Sequence, residues 1–145
     1  MPSKITMHKI ENTIAVGATT GNSYSKAIRG KILSIKLIYS NTTHSSSSDR
    51  DINIFEMNPE DPTAVGDALQ EVLNVGTLGA DPDADNDVYY PRRAAEDNTG
   101  TELVFLSTDT AVVPVPYVIF GRLNLAITAA AAGDITTAYI MVEEY

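Results

Sequence analysis

The sequence predicts a mostly β domain, an antiparallel β-sandwich of jelly-roll-like order with one short helical insertion. Three observations point there. Apolar and polar residues alternate with period two along several short segments, and clusters of Gly, Ser, Asn, Asp and Pro separate those segments. A single stretch carries apolar residues at helical spacing. Seven or eight short strands result, with no internal repeat. At 145 residues and 43% hydrophobic content the chain has the size and composition of one self-sufficient domain.

Residues 1–30 are weakly patterned and read as one or two short strands or an arm laid on a neighbour, so the expected division is 1–30 and a β-sandwich over 31–145. The strongest alternation runs over 31–40, with Leu33, Ile35, Leu37 and Tyr39 on one face and Ser34, Lys36 and Ser40 on the other. A serine-rich loop over 41–49 follows. Ile52, Ile54 and Glu56 then alternate with Asn53, Phe55 and Met57, as a return strand pairing with the first.

Next comes the segment read as a short helix, although the spacing of Leu69, Leu73 and Val75 would also tolerate a strand. Asp61 can cap it, Pro62 suits its first turn, and Val65, Leu69, Val72 and Leu73 recur at i, i+4, i+7 and i+8. Residues 80–100 form a polar, acidic excursion broken by Val88-Tyr89-Tyr90-Pro91, whose proline suits an edge strand. Residues 101–108 read as a strand. Residues 112–117 must be extended, but Pro114 and Pro116 cannot donate to a full ladder. Leu123, Leu125 and Ile127 form one face of a last strand. Residues 129–134 turn, and a return strand over 135–143 sets Tyr139 and Met141 against Ala138, Ile140 and Val142, closing a hairpin.

The composition excludes several functions. Nineteen acids against ten bases leave a net charge of −9, the wrong sign for a nucleic-acid partner. Without cysteine there is no disulfide framework, thiolate metal site or thiol nucleophile. The first residues lack the apolar run of a signal peptide, and no stretch approaches the ~20 apolar residues that span a membrane. Synthesis in the cytoplasm is expected, with no membrane partner.

Chemistry-bearing residues are sparse. His44, Ser45 and Asp49 supply the residue types of a triad, but within one short polar loop where nothing orients a base against a nucleophile; His8 stands apart. The motifs of hydrolases, zinc peptidases and nucleotide-binding loops are missing, so no enzyme activity, catalytic residue or cofactor is expected. Asp81, Asp83, Asp85 and Asp87 alternate in a loop that could offer oxygen ligands to calcium. Their spacing excludes an EF-hand, because Asn86 and Arg92, or Val88 and Ala94, stand where glycine and glutamate are required. A solvated acidic loop is the simpler reading. Tyr89, Tyr90, Arg92 and Arg93 have the composition of an interface hot spot, and equally of an edge strand whose tyrosines cover the core. The Asn41-Thr42-Thr43 sequon is read as coincidental.

Three pieces of the second half carry a resemblance: Val88-Tyr-Tyr-Pro-Arg92, Asp97-Asn-Thr-Gly100, and residues 121–128 with 136–142. Over about half of its length the chain resembles small virion proteins of tailed-bacteriophage head-gene clusters, among them capsid decoration (cement) proteins. The resemblance implies a β-sandwich on the outer capsid, often a trimer where capsomers meet, clamping the shell against internal DNA pressure. It implies the major capsid protein as partner, homo-oligomerisation with a trimer favoured, and the virion capsid surface as location. It carries no catalytic residues. The alternatives are a minor head-vertex or tail-associated protein, and a carbohydrate-binding β-sandwich using Tyr89, Tyr90 and the acidic loop.

Overall fold

A computed structural model describes residues 3–40, 50–60, 68–77, 88–94, 96, 99, 101–102 and 114–145, and among them regular structure is entirely β. Segments rich in Ile, Val, Leu and Tyr take up the extended backbone that suits such side chains. The strands are β1 (Lys4–Thr13), β2 (Gly21–Tyr24), β3 (Ile28–Ser40), β4 (Asp51–Met57), β5 (Ala68–Thr77), β6 (Val88–Tyr89), β7 (Arg92–Ala94), β8 (Pro114–Pro116), β9 (Val118–Thr128) and β10 (Ile135–Glu144). Eight of them form one antiparallel sheet in the order β1-β10-β3-β9-β4-β5, with β2 also on β9 and β6 also on β3. β7 and β8 form a separate two-stranded ribbon.

β9 joins the two halves of the sheet. Its residues 118–121 pair with β3, whereas 122–128 pair with β4 and 124–127 with β2. Side chains from both halves meet in one core cluster: Ile35, Leu37 and Ile140 from one, and Ile52, Ile54, Leu123 and Leu125 from the other, all fully buried. Burying a side chain of that kind contributes about 1.5–3 kcal/mol, so this cluster is the main favourable term in folding.

The inward faces of the last two strands match the alternation: Leu123, Leu125, Ile127, Ala138, Ile140 and Val142 are buried. The pairings do not. The expected hairpin of residues 31–40 with 52–57 is not formed, because β4 lies between β9 and β5. The expected C-terminal hairpin is not formed either, because β3 lies between β10 and β9. Both loops therefore connect strands that are not neighbours. The two C-terminal segments that carry part of the resemblance are strands, but not each other's partners.

The helix is the third correction. Residues 61–67, which hold its cap and Val65, lie outside the described residues; residues 68–77, with Leu69, Val72 and Leu73, are strand β5. The register explains the misleading period. Asn53 pairs with Asn74 after Ile52 with Gly76, Phe55 with Glu71 after Ile54 with Leu73, and Met57 with Ala68 after Glu56 with Gln70. Val75, Val72 and Leu69 are thus the extra residues of three successive bulges. Each bulge stretches the strand period from two to three locally. Apolar residues three apart then imitate one side of a helix.

A smaller displacement of the same kind affects β3. Val142 pairs with Ile32 and Met141 with Ser34, so Leu33 is bulged and Ile32 takes the core position expected of Leu33. The expected edge strand at Val88 exists as β6, opposite Lys36 and Ile35. Residues 103–113, part of the strand expected over 101–108, lie outside the described residues. A division at residue 30 falls inside β3, and β1 pairs with β10 over ten residues.

Polar contacts secure the ends. The Tyr117 hydroxyl donates to Glu56 Oε2 at 2.6 Å, and Glu56 Oε1 accepts the Phe120 N–H at 2.9 Å, tying β9 to β4. Burial, reinforced by that bond to Glu56, holds the Tyr117 hydroxyl protonated well above the ordinary tyrosine range. Arg50, just before β4, is ion-paired at 3.2 Å with Asp134, just before β10, and both side chains are buried.

Candidate docking surface

Strand alternation sends the odd-numbered side chains of β1 away from the core, and its neighbours follow. Met7 stands opposite Met141, which stands opposite Ser34. One row along, Lys9, Tyr139, Lys36 and Val88 line up across β1, β10, β3 and β6. Met7, Met141, Tyr139, Ile38 and Val88, with Ser34 and Lys36, line an open cleft of about 390 Å³. Ile5, Met7, Val88 and Met141 are 61%, 59%, 44% and 38% exposed. These residues make the cleft an apolar feature of an otherwise polar sheet face.

Charge frames the patch. Lys31 Nζ lies 2.7 Å from Glu143 Oε2, and Lys9 Nζ lies 3.6 Å from Glu11 Oε2. Among the described residues Lys36 makes no ion pair. In a chain of net charge −9 this face is locally neutral to slightly basic.

A second apolar feature lies where β9 leaves β3. Phe120 stands exposed opposite Arg29, whose guanidinium sits 5.5 Å above its ring. Val118 is exposed beside it, and Ala27, Ile28, Arg29, Pro59, Phe120 and Gly121 enclose a shallow pocket of about 130 Å³. That pocket is smaller than the cleft on the β1–β10–β3 face.

The four residues singled out from the sequence take different positions. Tyr89 is half-buried, packed against the core opposite Ile35. Tyr90 is 63% exposed, and Arg92 is exposed with Nη1 donating to the Pro91 carbonyl at 2.9 Å. Arg93 pairs across the ribbon with Val115 and reaches Glu96 at 3.6 Å. Core cover thus describes Tyr89, whereas Tyr90 and Arg92 present a free surface. Asp81, Asp83, Asp85 and Asp87, and likewise His44, Ser45 and Asp49, lie outside the described residues. Among the described residues no three acids and histidines gather as metal ligands.

His8 has a structural setting instead. Its Nε2 lies 2.7 Å from Glu144 Oε1, and Thr6 Oγ1 donates to Glu144 Oε2 at 2.9 Å. Histidine and hydroxyl both engage the same carboxylate, so the histidine does not activate the hydroxyl, and the trio pins β1 to β10. The bond to His8, then that to Thr6, holds the Glu144 carboxyl below its ordinary 4.5. Lys31 and then Ser3, whose hydroxyl donates at 2.7 Å, do the same for Glu143.

A depressed carboxyl contributes stability above the unfolded value and loses it as pH falls through the folded one. The β1–β10 end should therefore weaken as pH drops below about 4.5. The check is a carboxyl-carbon NMR titration, with midpoints for Glu143 and Glu144 below 4.5. Midpoints at or above that value would show that these contacts do not persist in solution.

Sequence reasoning missed Met7, Met141 and Phe120. For Phe120 the available signal was phase, since it shares its beat with Arg122 and Asn124 in an otherwise alternating strand; in β1 neither beat is polar throughout, so no such signal singles out Met7. No family model, curated protein or solved structure matches the chain.

Proposed function

We propose that this chain is a virion structural protein, a capsid decoration protein that binds the head shell and stabilises it through many identical contacts. The observation that carries the proposal is the apolar face of β1, β10, β3 and β6, where Met7, Met141, Tyr139, Ile38 and Val88 lie open beside charged residues at its rim. Such a face offers binding energy over an area rather than a pocket around reacting atoms. The resemblance of the second half to phage head proteins supplies the partner class, the major capsid protein. Tyr90 and Arg92 are exposed residues of hot-spot type and suit the same purpose.

On this proposal the sheet is a β-sandwich of jelly-roll-like order. β1, β10, β3 and β6 would be one layer and β2, β9, β4 and β5 the other, with the shared core between them. One face of the first layer remains free to dock.

The test is quantitative mass spectrometry of purified particles, giving the copy number of this chain relative to the major capsid protein. A ratio of one, or a simple fraction of it, is expected. A handful of copies per particle would move the chain to a vertex or the tail, and absence from particles would overturn the virion reading.

A further inference from the structure

β1 ends the sheet, and among the described residues its only strand partner is β10. Its register against β10 is unbroken over ten residues, without proline and without a bulge. Long regular edges of this kind are what proteins ordinarily guard, because their unpaired N–H and C=O groups invite another strand.

The direction of those groups follows from one bond. The Ile14 N–H donates to the Asp134 carbonyl at 2.9 Å, toward the β10 side, so even-numbered residues of this stretch bond that way. Successive residues of a strand alternate, which turns the N–H and C=O of Ile5, Met7 and Lys9 outward along the free edge. The side chains of the same three residues are exposed. Toward the end of β1 the buried Asn12 side chain points into the core, its Nδ2 donating to the Leu125 carbonyl at 2.9 Å, so the even-numbered side chains face away from any strand added at the edge.

We infer that this edge pairs with β1 of a second copy, antiparallel about a two-fold axis at Met7, to form a dimer with one continuous sheet. Charge permits a copy of the same chain in this place. A chain of net charge −9 repels itself over most of its surface, but Lys4, Lys9 and Glu11 leave β1 without an acidic excess.

The register is chosen by which exposed residues meet. An axis at Thr6 also sets apolar against apolar, Ile5 against Met7, but carries Lys9 past Ile5 to Ser3 and so away from Glu143. An axis at Lys9 opposes two lysines, and an axis at His8 sets Met7 against Lys9 and Ile5 against Glu11. With the axis at Met7 the two methionines meet, and Met141, Met7 and their counterparts in the second copy form one apolar row. Lys9 then lies over Ile5 of the second copy, whose own neighbour on β10 is Glu143, so opposite charges approach. Ile5, Met7 and Lys9 are hydrogen-bonding positions in this register, giving about six new N–H···O bonds across the axis. The dimer does not depend on the virion proposal: a chain absent from particles can still form it.

Sedimentation velocity of the full chain, from low micromolar to near millimolar concentration, is the test. The sedimenting mass should rise reversibly from monomer to dimer. Met7→Pro removes the outward N–H together with the side chain that meets its counterpart, and should stay monomeric at the highest concentration, with circular dichroism matching the parent. Met7→Lys and Met7→Glu, which keep the backbone donor, should each be monomeric alone and form a mixed dimer when combined. Phe120→Lys, on β9, should dimerise normally. A parent chain monomeric throughout, a trimer, or self-association unchanged by Met7→Pro and Met7→Lys would overturn the inference. Failure of the lysine and glutamate variants to pair would overturn the axis at Met7.

Discussion

Replacing either Arg50 or Asp134 by alanine is expected to destabilise the protein by about 3–5 kcal/mol, the cost of leaving one charge buried without its partner. Both side chains are buried, at 0% and 1% exposure. Arg50 Nε lies 3.2 Å from Asp134 Oδ2, and Nη1 is 3.3 Å from both the Ile135 carbonyl and Thr136 Oγ1. Asp134 Oδ2 also accepts the Ala131 N–H at 2.9 Å, and its backbone bonds to Ile14 and Ala131. One ion pair thus fastens the entry of β4, the turn before β10 and the end of β1. Gly133, at a φ of +86°, lets the chain enter that turn.

For a domain of this length the loss corresponds to a melting temperature lower by on the order of 10 °C. The double variant Arg50→Met, Asp134→Asn removes both charges and keeps an acceptor for Ala131, so it should cost less than either alanine change. Denaturant unfolding of the three variants decides this. Single-variant losses under about 1 kcal/mol would mean that the site takes up water and the pair is not the fastening.

Gly30→Ala is expected to be the next most damaging change. A Cβ at Gly30 would lie 2.3 Å from the Glu143 carbonyl oxygen and 2.9 Å from Val142 Cγ1. A backbone atom cannot rotate aside as a side chain can, so β3 or β10 must shift. Overpacking of this kind costs about 1–3 kcal/mol. The shift should also loosen the Lys31–Glu143 and His8–Glu144 contacts beside it, seen as faster amide exchange over the last turns of the β1–β10 ladder. Gly121→Ala, whose Cβ would come 2.6 Å from the Met57 carbonyl oxygen, gives an independent measure between β9 and β4. Unfolding free energies equal to the parent for both variants would show that the strands stand far enough apart to admit a methyl group.

Some of this was legible in advance. The β class, the inward faces of Ile35, Leu37 and Tyr39, and those of the last two strands all follow from period-two alternation, because the pleat alone decides which side chains share a face. The edge position of Val88 followed from Pro91. Of the four residues singled out beside Pro91, Tyr90 and Arg92 are exposed, whereas Tyr89 packs against the core and Arg93 reaches Glu96. Met141 was legible as a partner of Tyr139 on one face of the last strand, but that Met7 stands opposite it follows only from the pairing of β1 with β10.

What the sequence determined by itself is local: the extended backbone, the buried face of each regular strand, the acidic and cysteine-free surface. The tertiary structure alone decided which strands are neighbours. β3 entered between β10 and β9, and β4 between β9 and β5, because pairing is chosen by non-local burial that short loops do not encode. It also decided that residues 68–77, with Leu69, Val72 and Leu73, are a bulged strand rather than part of a helix, since a bulge exists only relative to a partner. Arg50, flanked by Asp49 and Asp51, reads as solvent-exposed in the sequence; only the fold brings Asp134 to it and makes its burial tolerable.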